Sequence, residues 1–161
     1  MSGIKQRRTI ANYLEVGGQT PSYALLGVGA KTLDETPAAQ TSSVKYICDK
    51  SASKRIIGYD WTTAFDIDQI RDEAAIEFIC AIGEQQKIGS EAETDYVVVD
   101  LDKPVAEKEN TFAARKFRVA IEVASFVNTD GQMSCTGNLQ GQGDPVLGEF
   151  NTSTKAFTAA E

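Results

Sequence analysis

There is no histidine anywhere in these 161 residues. Histidine is the commonest general base near neutral pH and a leading zinc ligand. Its absence excludes Ser-His-Asp and Cys-His nucleophile arrangements and the histidine-bearing zinc sites. Cysteine is scarce: Cys48, Cys80 and Cys135 are odd in number and widely spaced. They suggest a reduced, cytosolic chain without a disulfide framework. No apolar run approaches the roughly 18 residues of a membrane span, so no membrane insertion is expected. The N-terminal MSGIKQRRTIANYL carries cations without an apolar segment behind them and is not expected to be a secretory signal. An excess of basic residues is also missing, the formal net charge being −7. A chain this acidic is poorly suited to gripping a phosphate backbone, which binds through Lys and Arg.

What the chain does have is one segment of clear helical period, Asp66 to Lys87. Ala75, Phe78, Ile79 and Ile82 recur at steps of three and four and share a face. Ile76 and Cys80 widen it, while Asp72, Glu73, Glu77 and Glu84 fall mostly on the other side. Asp66, Asp68 and Asp72 crowd the start, where carboxylates suit the helix dipole, and Gly89 reads as the stop. The first turn is ambiguous, because the residues before it also alternate like a strand.

The rest is strand, turn and loop in sequence. Residues 1–12, with Lys5, Arg7 and Arg8, form an expected flexible N-terminal arm. Residues 11–18 give a short apolar patch ended by glycines, and Tyr23 to Ala30 reads as a strand. The GVGAKT of 27–32 is no phosphate loop, since Ala30 separates Gly29 from Lys31, and Thr32 spoils the dinucleotide fingerprint. Leu33 to Ser42 has loop chemistry. A long hairpin comes next over 43–67, in which Ile57, Tyr59, Trp61, Thr63, Phe65 and Ile67 alternate on one face. Its tip, Asp49 to Arg55, carries Lys50, Lys54 and Arg55, either simply solvated or touching an acidic neighbour.

Beyond the helix the chain turns acidic. Tyr96 to Leu101 reads as a strand buried on both faces at its middle, with Asp102 directly after it. Asp100 and Asp102 lie two apart and share a face of an extended chain. DLD lacks the glycine and distal glutamate of an EF-hand, so no metal site is assigned, and the pair has no identifiable acid/base companion. Phe112 to Val127 is a second long strand, with Phe117, Val119, Ile121 and Val123 alternating against Arg118, Ala120 and Glu122. NTDG at 128–131 is a hairpin turn, and 132–139 returns. GQGDP at 141–145 turns the chain again, and 146–150 and 155–157 close it. The count is seven or eight strands and one helix without βαβ alternation. The expected fold is one mainly β domain over 1–161, an antiparallel β-sandwich or open barrel flanked by one α-helix.

The wording of several segments resembles the major tail (tail tube) proteins of long-tailed bacteriophages and prophages. These segments are ANYLEVGGQTPSYALLGVGAKTLDETPAAQTSSVKYICDK, 11–50, and FDIDQIRDEAAIEFICAIGEQQKIG, 65–89. DYVVVDLDKPV, 95–105, ARKFRVAIEV, 114–123, and GNLQGQGDPVLGEFNTSTKAFT, 137–158, continue it. None is a catalytic signature; order and spacing carry the likeness. The resemblance implies hexameric rings stacked into a hollow phage tail tube through which DNA leaves at infection. It implies interfaces made by sheet extension, by the long hairpin and by terminal arms. Its implied partners are further copies of the chain and the tape measure, tail terminator and tail tip or baseplate proteins. Its implied place is the virion tail, assembled in the bacterial host cytoplasm, with no cofactor and no enzymatic turnover.

On this reading Lys5, Arg7, Arg8, Asp49, Lys50, Lys54 and Arg55 are the candidate inter-subunit contacts. Six copies would carry roughly −42 by formal count, which suits a wall that passes DNA without binding it. Asp100, Asp102 and Glu122 are the candidate lumen-facing acids. Before assembly, 1–12, 33–42 and 49–54 are the segments expected to move most. A subunit of a contractile inner tube or secretion-type tube has the same physics. A metal- or ligand-binding β-sandwich is the alternative from another class, supported only by the acidic 91–109 region.

Overall fold

Period-two alternation dominates the chain, so most of it seeks strand partners. A computed structural model describes residues 3–17 and 20–161. The first two residues of the expected arm, and Gly18, lie outside the described residues. The strands are β1 (Ile10–Glu15), β2 (Tyr23–Leu25), β3 (Ala30–Thr36), β4 (Ala39–Val44), β5 (Ser53–Tyr59) and β6 (Thr62–Asp68). Then come the helix α1 (Ala74–Glu84) and β7 (Glu93–Pro104), β8 (Thr111–Thr129), β9 (Gln132–Gly141), β10 (Val146–Asn151) and β11 (Ala156–Ala159). The fold is mainly β, antiparallel and not a closed barrel, with one α-helix, as expected. Eleven strands among the described residues replace the seven or eight expected from the sequence.

The nineteen-residue β8 organises them. Its first half pairs with β7 on one side and β10 on the other, from Val146↔Lys116 to Asn151↔Thr111. From Val119 onward β9 takes the place of β10. One half of the sheet therefore runs β2-β1-β7-β8 with β10 and β11 beyond, and the other runs β8-β9-β6-β3. The halves face each other across the main core. Leu14, Tyr96 and Val98 from one side meet Phe65, Ile67, Cys135 and Leu139 from the other, and α1 adds Ile76, Ile79 and Ile82. Alternate residues of the same strands serve a second core. Tyr13, Val97, Val99 and Ala114 pack there with Tyr23 and Phe150. That explains the continuous apolar run of β7, which is buried on both faces.

The helix is shorter than expected. Asp66 and Asp68 are strand residues, because β6 is held on both sides, by β3 and by β9, up to Asp68↔Ser134. Asp72 adopts a left-handed φ of 71° and breaks the chain before the helix. Glu77 then reaches back to accept the Asp72 N–H at 3.3 Å. At the far end Gln86 takes the left-handed position at φ 50°, three residues before Gly89. The buried face is Ala75, Ile76, Ile79, Cys80 and Ile82, with Phe78 only half-buried.

The long hairpin is also redrawn. Leu33 to Ser42 is not a loop but most of β3 and β4, and the hairpin runs from Ala30 to Asp68 in two segments. The inner segment, β3 with β6, belongs to the main sheet. The outer one, β4 with β5, is a separate two-stranded sheet. The break falls at Ala38, with φ 50°, which accepts the Asp60 N–H at 3.1 Å. Alternation thus buries Thr63, Phe65 and Ile67 but leaves Ile57 and Tyr59 exposed. The reading of 23–30 as one strand also fails, since Tyr23–Leu25 pairs with β1 while Ala30 already belongs to β3 and pairs with Ile67 of β6.

In β8 the register shifts between Val123 and Ser125, a bulge that reverses the facing of the residues beyond it. Val123 and Phe126 consequently point to the same side, where both approach Gly83 of α1. Across the bulge a Cβ on Gly137 would collide with the Glu122 carbonyl oxygen and lie 2.9 Å from the Phe65 ring. Gly58, on the outer hairpin, has nothing within 4 Å. Gly137→Ala is therefore expected to lower stability by about 2 kcal/mol or more, and Gly58→Ala by less than about 0.5 kcal/mol. Urea unfolding of the two variants measures both; equal midpoints would mean that β8 and β9 do not approach this closely.

Candidate assembly surfaces

Among the described residues the outer hairpin is a separate two-stranded sheet that packs nothing of its own. No residue of β4 or β5 is buried. Val44, Tyr46, Ile47, Ile56, Ile57 and Tyr59 are all exposed. Ile56 and Ile57 are adjacent in a strand and point to opposite faces, so apolar surface lies on both sides. An isolated two-stranded ribbon is marginal in water. The tip is pinned by Asp49, whose carboxylate accepts the Tyr46 N–H at 3.0 Å while its own N–H donates to the Tyr46 carbonyl. Asp49 is thus a turn residue. Among the described residues no carboxylate pairs with Lys50, Lys54 or Arg55.

The N-terminal segment is more anchored than a flexible arm of twelve residues. Ile10 to Asn12 belong to β1 and pair with Asp100 to Val98. Buried Asn12 donates its amide to the Tyr96 hydroxyl, and Arg7 donates to the Asn12 side-chain oxygen at 2.6 Å and the Ile10 carbonyl at 2.9 Å. Arg8 turns back to Gln6. Lys5 lies 3.3 Å from the Asp100 carboxylate. Two groups that the sequence suggests for different tasks, an arm cation and a lumen acid, are therefore partners within one chain.

The three candidate acids do not form one patch. The Asp100 side chain is only 16% exposed and also has Lys103 at 4.0 Å. Burial pushes its carboxyl up, but the Asp102 N–H, Lys5 and Lys103 together hold it below the usual carboxylate range. Asp102 is exposed beside it. Glu122 accepts from the Gln140 amide at 2.7 Å. It stands nine residues along β8 from Ala113, the partner of Asp100, or about 30 Å away. Alternation also sends it to the opposite face of the sheet. Its neighbours there carry no signal in the sequence: Glu93 and Asp95 flank Arg118, at 3.9 and 3.3 Å. Only the register of β7 against β8 brings these charges together.

A second feature without a sequence signal lies at the base of the outer hairpin. Trp61 stacks on Phe117 with centroids 4.0 Å apart and planes 12° apart, and Arg115 sits over the Phe117 ring at 5.4 Å. Glu35 ties them, accepting from Trp61 Nε1 at 3.0 Å and from Arg115 at 2.9 Å. Beside this node is an open cavity of about 340 Å³, lined by Pro37, Tyr59, Asp60, Trp61, Asp144 and Pro145 among others.

Cys48 is exposed at the hairpin tip, while Cys80 and Cys135 are buried. Burial pushes the Cys80 thiol up, and burial with Cys80 alongside pushes Cys135 to about 12, so both stay protonated and unreactive at neutral pH. Among the described residues no group of three or more Cys, Asp or Glu could hold a metal ion. Among them, too, no helix is long and apolar enough to cross a membrane.

No family model and no curated protein matches the sequence. Among solved structures the fold is similar to a chain in the cryo-EM structure of the anti-feeding prophage baseplate, six-fold symmetrised. The TM-score is 0.53 at 7% identity, over 91% of this chain and 97% of that one. At this identity the likeness is one of fold.

The Lys5–Asp100 contact has a direct test. Asp100 has a depressed carboxyl, so the tether it gives persists down through the usual carboxylate range and is lost only as pH falls below it, through the depressed value. Protection of amides 3–9, taken relative to the intrinsic exchange rate at each pH, is expected to fall on acidification below about pH 4 in the parent chain. In Asp100→Asn that protection is expected to be low already at pH 7. Unchanged protection in that variant would show that Arg7 alone holds the segment.

Proposed function

We propose that this chain is a structural subunit that assembles as stacked hexameric rings into a hollow phage tail tube, the conduit for DNA. The observation that carries this is the outer hairpin, β4 with β5, which exposes apolar side chains on both faces and buries none of its residues. Its surface makes sense when neighbouring copies cover it. The total points the same way. The accessible surface is 10575 Å², against about 7,900 Å² for a compact monomer of 17.4 kDa. The excess is of the size that obligate assemblies bury. Open edges at β2, β3 and β11 offer backbone groups for sheet extension between copies.

The likeness to a prophage baseplate chain, in a particle of six-fold symmetry, supports a structural role in an injection device. The sequence resemblance to tail tube proteins supports the tube in particular. The same likeness favours, as the second reading, an inner tube or baseplate-proximal subunit of a contractile or secretion-type system. In either case the partners are further copies, the tape measure, the tail terminator and the tip or baseplate proteins, and the setting is the virion tail, assembled in the host cytoplasm. No turnover is ascribed to it. DNA passes without specific binding, and the acids of the lumen wall keep it from adhering. Because Asp100 and Asp102 on one side and Glu122 on the other face apart, one wall takes one set. We favour Glu122, with Glu93 and Asp95, since Glu93 and Asp95 share the one cation Arg118, whereas Asp100 alone is flanked by two, Lys5 and Lys103.

Negative-stain microscopy of the purified chain across a concentration series is expected to show rings or hollow tubes of constant width. Isolated particles at every concentration, with and without a tail initiator complex, would sink the reading. Backbone exchange adds a second measure. Amides of 39–59 are expected to exchange fast in the free subunit and to gain at least about tenfold protection in the assembled form.

A further inference from the structure

We infer that the cavity between Trp61, Pro37 and Pro145 is the receptor for the hairpin tip of a second copy, with Ile47 as the inserted side chain. The inference rests on the assembly reading and adds the site and its occupant. Ile47 is fully exposed, and Tyr46 beside it is exposed as well. The cavity offers two prolines, Tyr59, Trp61 and Phe117, with room of about 340 Å³. That suits an aliphatic knob, and buried aromatic platforms of this kind dominate interface energies.

Charge selects the same occupant. The tip carries Lys45, Lys50, Lys54 and Arg55 against the single Asp49, which its own turn engages. The cavity rim carries Asp60 and Asp144, while its one cation, Arg115, is already paired with Glu35. A cationic, apolar-tipped ribbon therefore meets an apolar cup with an acidic rim. The chain cannot fill its own cup. Tyr59 and Asp60 lie at the base of the hairpin, and the seven residues of β5 put the tip about 20 Å away. The contact joins two different surfaces, so each copy gives a tip and receives one. Such head-to-tail contacts close into rings or continue as filaments.

The chain holds its own reporters. Cys48 is the one exposed cysteine, next to Ile47, and Trp61 is the sole tryptophan. Full-length Asp144→Cys is to be brought to assembling concentration, mildly oxidised and run on a non-reducing denaturing gel. The expected result is a ladder of covalent dimers and larger species, absent when Cys48→Ser is added. Trp61 emission is expected to shift to the blue on assembly of the parent. Ile47→Asp is expected to keep the parent melting temperature and to raise the concentration needed for assembly about thirtyfold. Rings that form without the ladder and without the Trp61 shift would overturn the receptor while leaving the tube reading intact. A parent chain that never assembles would overturn both.

Discussion

The hydrogen bonding of β8 governs this molecule. At 3.3 Å per residue its nineteen residues span about 60 Å, whereas a compact body of this chain length is only about 40 Å across. One strand of that length cannot keep the same neighbours throughout. It pairs with β7 and β10, then exchanges β10 for β9, and a bulge after Val123 turns its far end. The two cores result from this. Residues of β8 with one parity feed the core beneath α1, and Ala114 of the other parity feeds the core closed by Phe150. The far end of the strand, Ala124 to Thr129, is exposed, with Phe126 reaching back to Gly83 of α1.

Much of the architecture is legible in the sequence because most strands are packed on at least one side. Apolar alternation in Phe117, Val119 and Ile121, and the unbroken Val97–Val98–Val99 run, identify strands because water is absent from the faces that these residues fill. The helix is legible by the same logic in Ile76, Ile79 and Ile82. Its start is not, since Asp66 and Asp68 look like capping acids and only the pairing with Ser134 and its neighbours in β9 shows them to be strand residues. LDETPAAQTS looks like a loop because β4 has no buried face at all. When the surface that a strand covers belongs to another molecule, or to solvent, its own sequence loses the period that would reveal it.

The candidate surfaces are legible in a different measure. The cationic hairpin tip can be read from composition, because charge on a turn requires no knowledge of pairing. The Lys5–Asp100 contact, the Glu93–Arg118–Asp95 cluster and the Trp61 cup cannot. Each joins residues far apart in the chain through the register of β1, β7 and β8, or through the base of the hairpin. The same register separates Glu122 from Asp100, two residues that composition alone groups together.

The pairing of β6 with β9 has one more consequence. Thr62 lies opposite Gln140 at one end of that pair, and Asp68 lies opposite Ser134 at the other. The β4–β5 ribbon leaves from the first end, and the Asn128–Gly131 turn of β8 and β9 leaves from the second. The chain is thus a strut with unlike poles, one apolar and cationic, the other a short polar turn. Any filament built by joining such struts end to end has a direction. The two ends of such a filament would be chemically distinct, would call for different caps, and would offer no matching surface to a copy added upside down.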